Sequence, residues 1–276
     1  MNSKPKSAIH KRQSSKARNP TANRMRFPDR WLQYVPVGKD IPGLRIVAFK
    51  TPLHSQYFTG MADDDETRFE VSTVLSYASQ AGKTLGLVVD LTNTDKYYNA
   101  QDWLDNSVEY HKLKCRGHEV NKQEEIVQNF ITTILEFLSK NVNNDKVVGV
   151  HCTHGLNRTG YLICRYMIDC LGVSAAEAIE KFEMNRGHTI ERHHYIASLY
   201  ESEARAKALG ILPPTMQVPL IDNKAEENPA ASESLTRNPA EQESVPQCPA
   251  IAEYLPGNPT QNQPVPEDIT PAINNS

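Results

Sequence analysis

The sequence predicts an α/β fold in which helices flank a mixed central sheet. Two observations support this prediction: short apolar, β-branched runs alternate with amphipathic helical patterns, and a block of helical patterns follows the last of these runs. The strand-like runs are residues 44–49, 85–91 and 146–150. Residues 108–114 alternate apolar with polar side chains, which is typical of a half-buried strand.

The helical patterns lie between these runs and after them. Apolar side chains recur at helical spacing across residues 124–140. A second helix begins near Arg158, and a third is bounded by a predicted N-cap at Ser174 and a stop at Gly187. A last amphipathic run extends from about residue 191 to residue 208.

The two ends of the chain differ from the middle in composition. Residues 1–30 contain nine Lys or Arg and one acid, whereas residues 213–276 contain 12 of the 18 prolines and nine acids against two bases. Such segments bury too little apolar surface to fold. We therefore predict a basic disordered arm (1–27), one folded domain (28–210) and an acidic, Pro-rich disordered tail (211–276). The basic arm is equally consistent with nucleic-acid contact, nuclear import or a solvated leader.

Composition also limits the location and the cofactors. No run approaches 18 apolar residues and the N-terminus lacks the apolar core of a signal peptide, so we expect an intracellular protein without a membrane segment. The basic arm favours the nucleus. The five cysteines show no CxxC spacing, and we expect neither a metal nor another cofactor. We also expect a monomer.

The segment HCTHGLNRTG (151–160) connects a predicted strand to a predicted helix and contains the candidate catalytic residues. Cys152 follows the strand, and Arg158 begins the helix. Backbone N–H groups between them can surround an oxyanion, and the same positive environment stabilises a thiolate. Arg158 presents a planar pair of donors to phosphate oxygens, and Thr159 places a hydroxyl near the sulfur. These parts suit phosphoryl transfer through a covalent cysteine intermediate.

Plainer interpretations compete with this one. A cysteine at a strand end is usually a buried structural residue, and the C-x5-R spacing also occurs by chance. The flanking buried strand, the following amphipathic helix and the glycines at 155 and 160 favour a phosphatase over these interpretations. A nucleotide-binding loop of the Walker type is excluded because no G-x4-G-K-[ST] sequence occurs.

The segment HCTHGLNRTGYLICRYMI resembles the active-site loop of the cysteine-dependent phosphatase superfamily. Together with GLVVDLTNTDKYY, KLKCRGHEV and RGHTIERHHY, it is similar to the RNA 5′-phosphatase branch of dual-specificity phosphatases, which includes the metazoan capping-enzyme triphosphatase domain. The resemblance implies the dual-specificity phosphatase fold. It implies that Cys152 is the nucleophile, within a phosphate cradle of Thr153, His154, Gly155, Leu156, Asn157 and Arg158.

The resemblance also implies further basic residues at the pocket. Arg192 is expected to reach another phosphate of a polyphosphate chain, and Lys114 and Arg116 belong to a loop that faces the pocket in this superfamily. An ordinary surface position is the alternative for all three. His154 either shapes the cradle and adds positive charge or only packs against it. Tyr97 and Tyr98 either stack on nucleotides or pack in the core.

The loop that carries an aspartic general acid in the protein phosphatases of this superfamily has none here. It contains CRGHEVNK, with His118 and Glu119 as the nearest candidates. A tyrosine leaving group has a pKa of about 10 and benefits from a proton donor, whereas a phosphate leaving from an anhydride is a weaker base. The missing acid therefore favours an anhydride substrate, although His118 could still donate a proton.

The leading hypothesis is an RNA 5′-triphosphatase that acts through Cys152 without a metal on 5′-triphosphorylated RNA. The resemblance implies that the β phosphate is removed after the γ phosphate, and that ribonucleoprotein or RNA-processing proteins are partners. One alternative is a protein tyrosine or dual-specificity phosphatase. A second is a non-catalytic RNA-binding scaffold, against which the intact Cys152, Arg158 and Thr159 argue.

Overall fold

The computed structural model of the chain describes residues 25–210. The predicted acidic tail and all of the predicted basic arm except residues 25–27 lie outside the described residues. The predicted domain boundaries therefore stay predictions. No helix of the described part is long and apolar enough to cross a membrane.

Five strands and six helices make up the described part. The strands are β1 (Val37–Ile41), β2 (Ile46–Lys50), β3 (Leu85–Asp90), β4 (Glu109–Lys112) and β5 (Val147–Cys152). The helices are α1 (Val71–Gln80), α2 (Gln101–Leu104), α3 (Glu124–Lys140), α4 (Asn157–Leu171), α5 (Ala175–Arg186) and α6 (His193–Ala208). Short 3-10 turns lie at Trp31–Gln33, Ser55–Phe58 and Val120–Lys122.

The strands form one mixed sheet in the order β1-β2-β5-β3-β4. Only β1 runs antiparallel to its neighbour, and the other four strands are parallel. The carboxyl ends of β2, β5, β3 and β4 therefore meet at one edge of the sheet. Parallel sheets place their ligand sites outside this edge.

Each face of the sheet is covered by its own apolar core. On one face, side chains such as Ala48, Val89 and Val150 pack against α3, α4, α5 and α6. On the other, Phe49 and Val88 pack with aromatic residues of the N-terminal segment and of α2, including Trp31 and Trp103. Because β3 and β5 are buried along their whole length, they carry the continuous apolar runs seen in the sequence.

The predicted fold class is confirmed. Helix α3 occupies the predicted residues 124–140, and α5 begins after Ser174, whose hydroxyl accepts from the Glu177 backbone N–H, and ends at Gly187. β5 extends two residues further than predicted, so Cys152 is the last residue of the strand and does not lie just past it. Strand β1 and helix α1 were not predicted.

Helix α4 approaches its neighbours closely at Gly160. A Cβ atom at this position would lie 2.6 Å from the Phe182 ring and 2.8 Å from the Ile190 side chain, both of which are buried. The first turn of α4 can therefore pack against the end of α5 only because this residue has no side chain. This contact fixes the helix start that carries Arg158.

We predict that Gly160→Ala lowers the free energy of unfolding by about 1 kcal/mol or more, because overpacking a filled core typically costs 1–3 kcal/mol. Helix propensity alone would raise the free energy of unfolding by about 1 kcal/mol, because alanine is a better helix former than glycine. The sign of the change therefore shows whether the close contact or the helix propensity dominates. Urea denaturation measures it. Ser139→Ala, at an exposed position of α3, is the helical control. An increase in the free energy of unfolding of Gly160→Ala would show that the contact of Gly160 with Phe182 and Ile190 leaves room for a methyl group.

Candidate active site

Cys152 lies at the carboxyl edge of the sheet, at the end of its central strand β5. Its side chain is buried, with 4% of the residue exposed. The chain then turns through four residues and enters α4 at Asn157. The N-terminal N–H groups and positive dipole end of this 15-residue helix therefore lie beside the sulfur.

The turn requires glycine at position 155. Gly155 has φ of 69°, and a Cβ atom there would lie 2.2 Å from the carbonyl oxygen of Phe49. The carbonyls of His154 and Gly155 accept hydrogen bonds from the buried guanidinium of Arg186, at 3.0 Å each. With these carbonyls held on the outside, the loop is free to direct its N–H groups toward the sulfur.

Arg158 is held beside the cysteine by three acceptors. Its Nη1 donates to the carbonyl of Leu91 at 2.8 Å and to that of Cys115 at 3.1 Å, and its Nη2 donates to the Thr153 hydroxyl at 3.1 Å. Leu91 follows β3, and Cys115 belongs to the loop after β4. The arginine therefore joins three loops at the same edge of the sheet, and its guanidinium is positioned before any phosphate binds.

The pKa of Cys152 lies below its ordinary value. Burial favours the neutral thiol, but the charge of Arg158, the Thr159 hydroxyl and the backbone N–H groups of Thr159 and His154 outweigh it. The other two buried thiols behave in the opposite way: burial raises the pKa of Cys115 to about 12 and that of Cys164 still further. Cys152 alone of these three thiols is adapted for nucleophilic attack.

A cleft of about 130 Å³ opens above the sulfur and brings together most of the predicted site residues. Its lining is formed by Gly117, His118, Cys152, Thr153, His154, Asn157, Arg158 and Arg192. The predicted residues Gly155, Leu156 and Thr159 are buried beneath it. Lys114 and Arg116 are exposed and do not line it, and Lys114 pairs instead with Asp95 at 2.7 Å.

His118 and Arg192 approach the cleft from outside the loop. His118 has φ of 76°, and its backbone carbonyl accepts from the ring of His194 at 3.1 Å. Its ring contacts the guanidinium of Arg192, the residue just before α6. No carboxylate of residues 25–210 lines the cleft. The cleft therefore holds the guanidinium of Arg192 and the ring of His118 at the loop where the protein phosphatases of this superfamily carry an aspartic acid.

The ring of His154 points toward the N-terminal segment. Its Nε2 donates to the backbone carbonyl of Asp29 at 2.7 Å, and the ring packs 4.9 Å from that of Tyr34. Burial lowers its pKa, so the ring is neutral at pH 7. The ring therefore packs against the N-terminal segment and adds no positive charge to the cradle at pH 7.

Two buried cations behind the loop were missed in the sequence. Arg186 is 1% exposed and Lys50 is 4% exposed, and neither forms an ion pair with a carboxylate of the described residues. The Lys50 ammonium donates to the carbonyls of Trp31 and Tyr34 and lies 3.7 Å from the centre of the Trp31 ring. Burial lowers the pKa of Lys50 to about 8 and that of Arg186 to about 10, so both remain protonated at pH 7.

Asp90, at the end of β3, organises the neighbouring loop. Its carboxylate accepts from the Thr92 N–H, from the hydroxyls of Tyr98 and Tyr110, and from the Lys112 ammonium, at 2.8–2.9 Å. Burial opposes its ionisation, but the partners outweigh this effect and lower its pKa to about 2. These contacts give Asp90 a structural role in the loop.

A cysteine with a lowered pKa at the end of the central strand, backbone N–H groups directed at its sulfur and an arginine six residues later together define a cysteine-dependent phosphatase. The dual specificity phosphatase catalytic domain family matches residues 70–205. A Caenorhabditis elegans RNA/RNP complex-1-interacting phosphatase homolog is 56% identical over 182 residues, which are 66% of this chain and 78% of the relative. The chain belongs to this family of dual-specificity phosphatases.

Two further relatives show how far the similarity extends. The Homo sapiens RNA/RNP complex-1-interacting phosphatase is 44% identical over 65% of this chain, and the match spans 53% of its own length. The tyrosine-protein phosphatase of Autographa californica nuclear polyhedrosis virus is 40% identical over 63% of this chain and 98% of its own. The match therefore covers about half of the human relative and almost all of the viral one.

We predict that Thr159→Val raises the pKa of Cys152, because the variant loses a hydroxyl that stabilises the thiolate. Iodoacetamide inactivation should have its half-maximal rate at a higher pH than in the wild type, since only the thiolate reacts. The measurement is the loss of p-nitrophenyl phosphate hydrolysis at a series of pH values. Thr133→Val, in α3, is the control. An unchanged midpoint would exclude the hydroxyl as a partner of the thiolate.

We predict that Asp90→Asn lowers the free energy of unfolding by about 3 kcal/mol at pH 7, because it removes a buried carboxylate and leaves the half-buried Lys112 without its closest anion. Asp95→Asn, which removes an exposed partner of the same lysine, should have little effect. Because the pKa of Asp90 is lowered to about 2, its contribution is complete above about pH 4 and disappears as the pH falls through 2. If Asp90→Asn and Asp95→Asn lowered the free energy of unfolding equally, the stabilising role of the Asp90 hydrogen bonds would be contradicted.

Proposed function

We propose that the protein is an RNA 5′-triphosphatase and diphosphatase that works through a phosphocysteine without a metal. The observation that carries the proposal is the cleft above Cys152, whose lining includes two extra basic side chains, His118 and Arg192, and no carboxylate from residues 25–210. A polyphosphate end has more negative charge than a phosphate monoester, and it needs no proton donor for its leaving group.

The first half of the reaction forms the phosphocysteine. The Cys152 thiolate attacks the γ phosphorus, and the bond to the β–γ bridging oxygen breaks, so that this oxygen leaves as part of the RNA diphosphate end. Arg158 and the N–H groups of the loop hold the equatorial oxygens in the transition state. A phosphate leaving group has a pKa of about 6, about four units below a tyrosine phenol, and therefore departs without an acid.

The second half releases inorganic phosphate. A water molecule attacks the phosphocysteine, the S–P bond breaks, and the thiolate is regenerated with help from the Thr159 hydroxyl. The diphosphate end can then bind the same cradle and lose its β phosphate in the same way. Arg192 lines the cleft, and we assign to it the phosphate next to the reacting one while a triphosphate or a diphosphate is bound.

The names of two relatives support the proposed substrate and partners. Both relatives carry the name RNA/RNP complex-1-interacting phosphatase, one of them as a homolog. As part of the proposal, we infer that this chain also acts on RNA and interacts with ribonucleoprotein complexes. The nuclear location expected from the basic arm stays a prediction. Hydrolysis of phosphotyrosine proteins is the second candidate, which the name of the viral relative favours.

We predict that, with EDTA present, kcat/KM for phosphate release from a 5′-triphosphorylated RNA oligonucleotide exceeds that for a phosphotyrosine peptide by on the order of 10²-fold or more, since a general acid typically contributes 10²–10⁴-fold. Cys152→Ser should abolish both activities. A peptide that is the better substrate would contradict the proposal. In that case, His118→Ala tests whether histidine is the missing acid, because only peptide hydrolysis should then fall.

A further inference from the structure

A second and larger cleft, of about 630 Å³, lies beside the active site. Tyr97, Tyr98 and Tyr110 contribute to its lining, together with Met25, His54 and Lys96. We name it the tyrosine cleft. We propose that the tyrosine cleft binds the first nucleoside of a single-stranded RNA whose 5′ phosphates occupy the cradle. The inference rests on the proposed function and assigns the substrate a second contact.

The tyrosine cleft is one residue away from the catalytic groups along two strands. Asp90 lines the cleft, and the carbonyl of the next residue, Leu91, is the acceptor for Arg158. The hydroxyl of Tyr98 lies 2.7 Å from Nε2 of His151, the residue just before Cys152. Both clefts therefore lie at the carboxyl ends of β3 and β5. We infer that a nucleoside attached to the bound phosphates enters the tyrosine cleft across this edge of the sheet.

The lining suits a base better than another phosphate. The hydroxyls of Tyr98 and Tyr110 are both engaged by Asp90, which fixes these two rings. The Asp95 carboxylate is occupied by Lys112 and Lys114, so the local charges are largely compensated. What remains available is aromatic surface, with its volume in the range of small-molecule sites. Unpaired bases of single strands stack on such rings.

Tyr97 is the ring best placed to stack on a base. It is half-buried, and the Lys96 ammonium lies 5.4 Å from its centre. Its backbone carbonyl accepts from the N–H of His54, another residue of the lining, at 2.6 Å. Stacking needs the ring of Tyr97 but not its hydroxyl. Removal of the ring should therefore weaken RNA binding, whereas removal of the hydroxyl alone should not.

The N-terminal end of the described chain lies at the same cleft. Met25 is part of the lining, and its backbone N–H is 3.5 Å from the carbonyl of Gln56. The described chain therefore begins at the tyrosine cleft.

The experiment compares two substrates of the full chain that share the reacting group. One is a 5′-triphosphorylated RNA hexanucleotide, and the other is inorganic tripolyphosphate. Tyr97→Ala should lower kcat/KM for the RNA about 5- to 100-fold, as expected for one lost base stack, and leave that for tripolyphosphate unchanged. Tyr97→Phe should retain the RNA activity. Tyr200→Ala, which removes an exposed tyrosine of α6, is the matched control.

Three results would overturn the proposal. Equal losses on both substrates would show that Tyr97 only supports the fold, and thermal unfolding of the variant would confirm this. No loss on either would exclude the cleft from RNA binding. A loss confined to a phosphotyrosine peptide would assign the cleft to peptides. Lys96→Ala changes an exposed position of the same cleft without disturbing the core. Its kcat/KM values for the RNA and for tripolyphosphate provide a second comparison of the two substrates.

A binding assay separates this inference from the proposed function. Fluorescence anisotropy of a 3′-labelled RNA hexanucleotide with a 5′-hydroxyl end measures binding to the cleft without hydrolysis. We expect Tyr97→Ala to weaken this binding about 5-fold or more, and Tyr200→Ala to leave it unchanged. If triphosphorylated RNA is not hydrolysed but this difference is found, the cleft stands and the proposed activity fails. If triphosphorylated RNA is hydrolysed but Tyr97→Ala binds the 5′-hydroxyl RNA as well as the wild type does, the proposed activity stands and RNA binding in the tyrosine cleft is excluded.

Discussion

The active site depends on the hydrogen bonds by which Arg186 holds the outer side of the phosphate loop. Its guanidinium binds the carbonyls of His154 and Gly155, and it also reaches the carbonyl of Val35 at 2.8 Å, in the segment before β1. A loop of a few residues can direct its N–H groups inward only if its carbonyls find partners elsewhere. Gly155 makes this possible because its positive φ and missing Cβ allow close approach to β2.

The same interaction places positive charge under the cradle. Arg186 and Lys50 are buried without a carboxylate partner among the described residues, an arrangement that burial disfavours. The Cys152 thiolate acts in the opposite direction by raising the pKa of Arg186. The unbalanced charge therefore becomes favourable when an anion occupies the cradle. Preorganised charge of this kind stabilises a phosphoryl transition state without reorganisation during the reaction.

The sequence predicted the elements whose patterns are local, and it failed where tertiary contacts decide. Helix α3 and the strands β3 and β5 carry strong apolar patterns, and the loop between Cys152 and Arg158 has a distinctive spacing. Strand β1 was missed because only Ile41 of its five residues is fully buried. Lys50 and Arg186 have no local pattern that separates them from surface bases, since their burial depends on contacts between segments up to 151 residues apart.

The loop after β4 shows why the site gains charge and not an acid. Its backbone carbonyl at Cys115 is one of the acceptors that hold Arg158, and the carbonyl of His118 is bound by His194 of α6. A loop tied to both the catalytic arginine and a neighbouring helix is suited to fixing charged groups, whereas an acid that must approach different leaving oxygens benefits from movement. The side chain that this loop directs to the cleft, His118, is itself paired with Arg192. Under the proposed function, the guanidinium of Arg192 held in this way binds a phosphate of the polyphosphate end, and departure of a phosphate needs no proton.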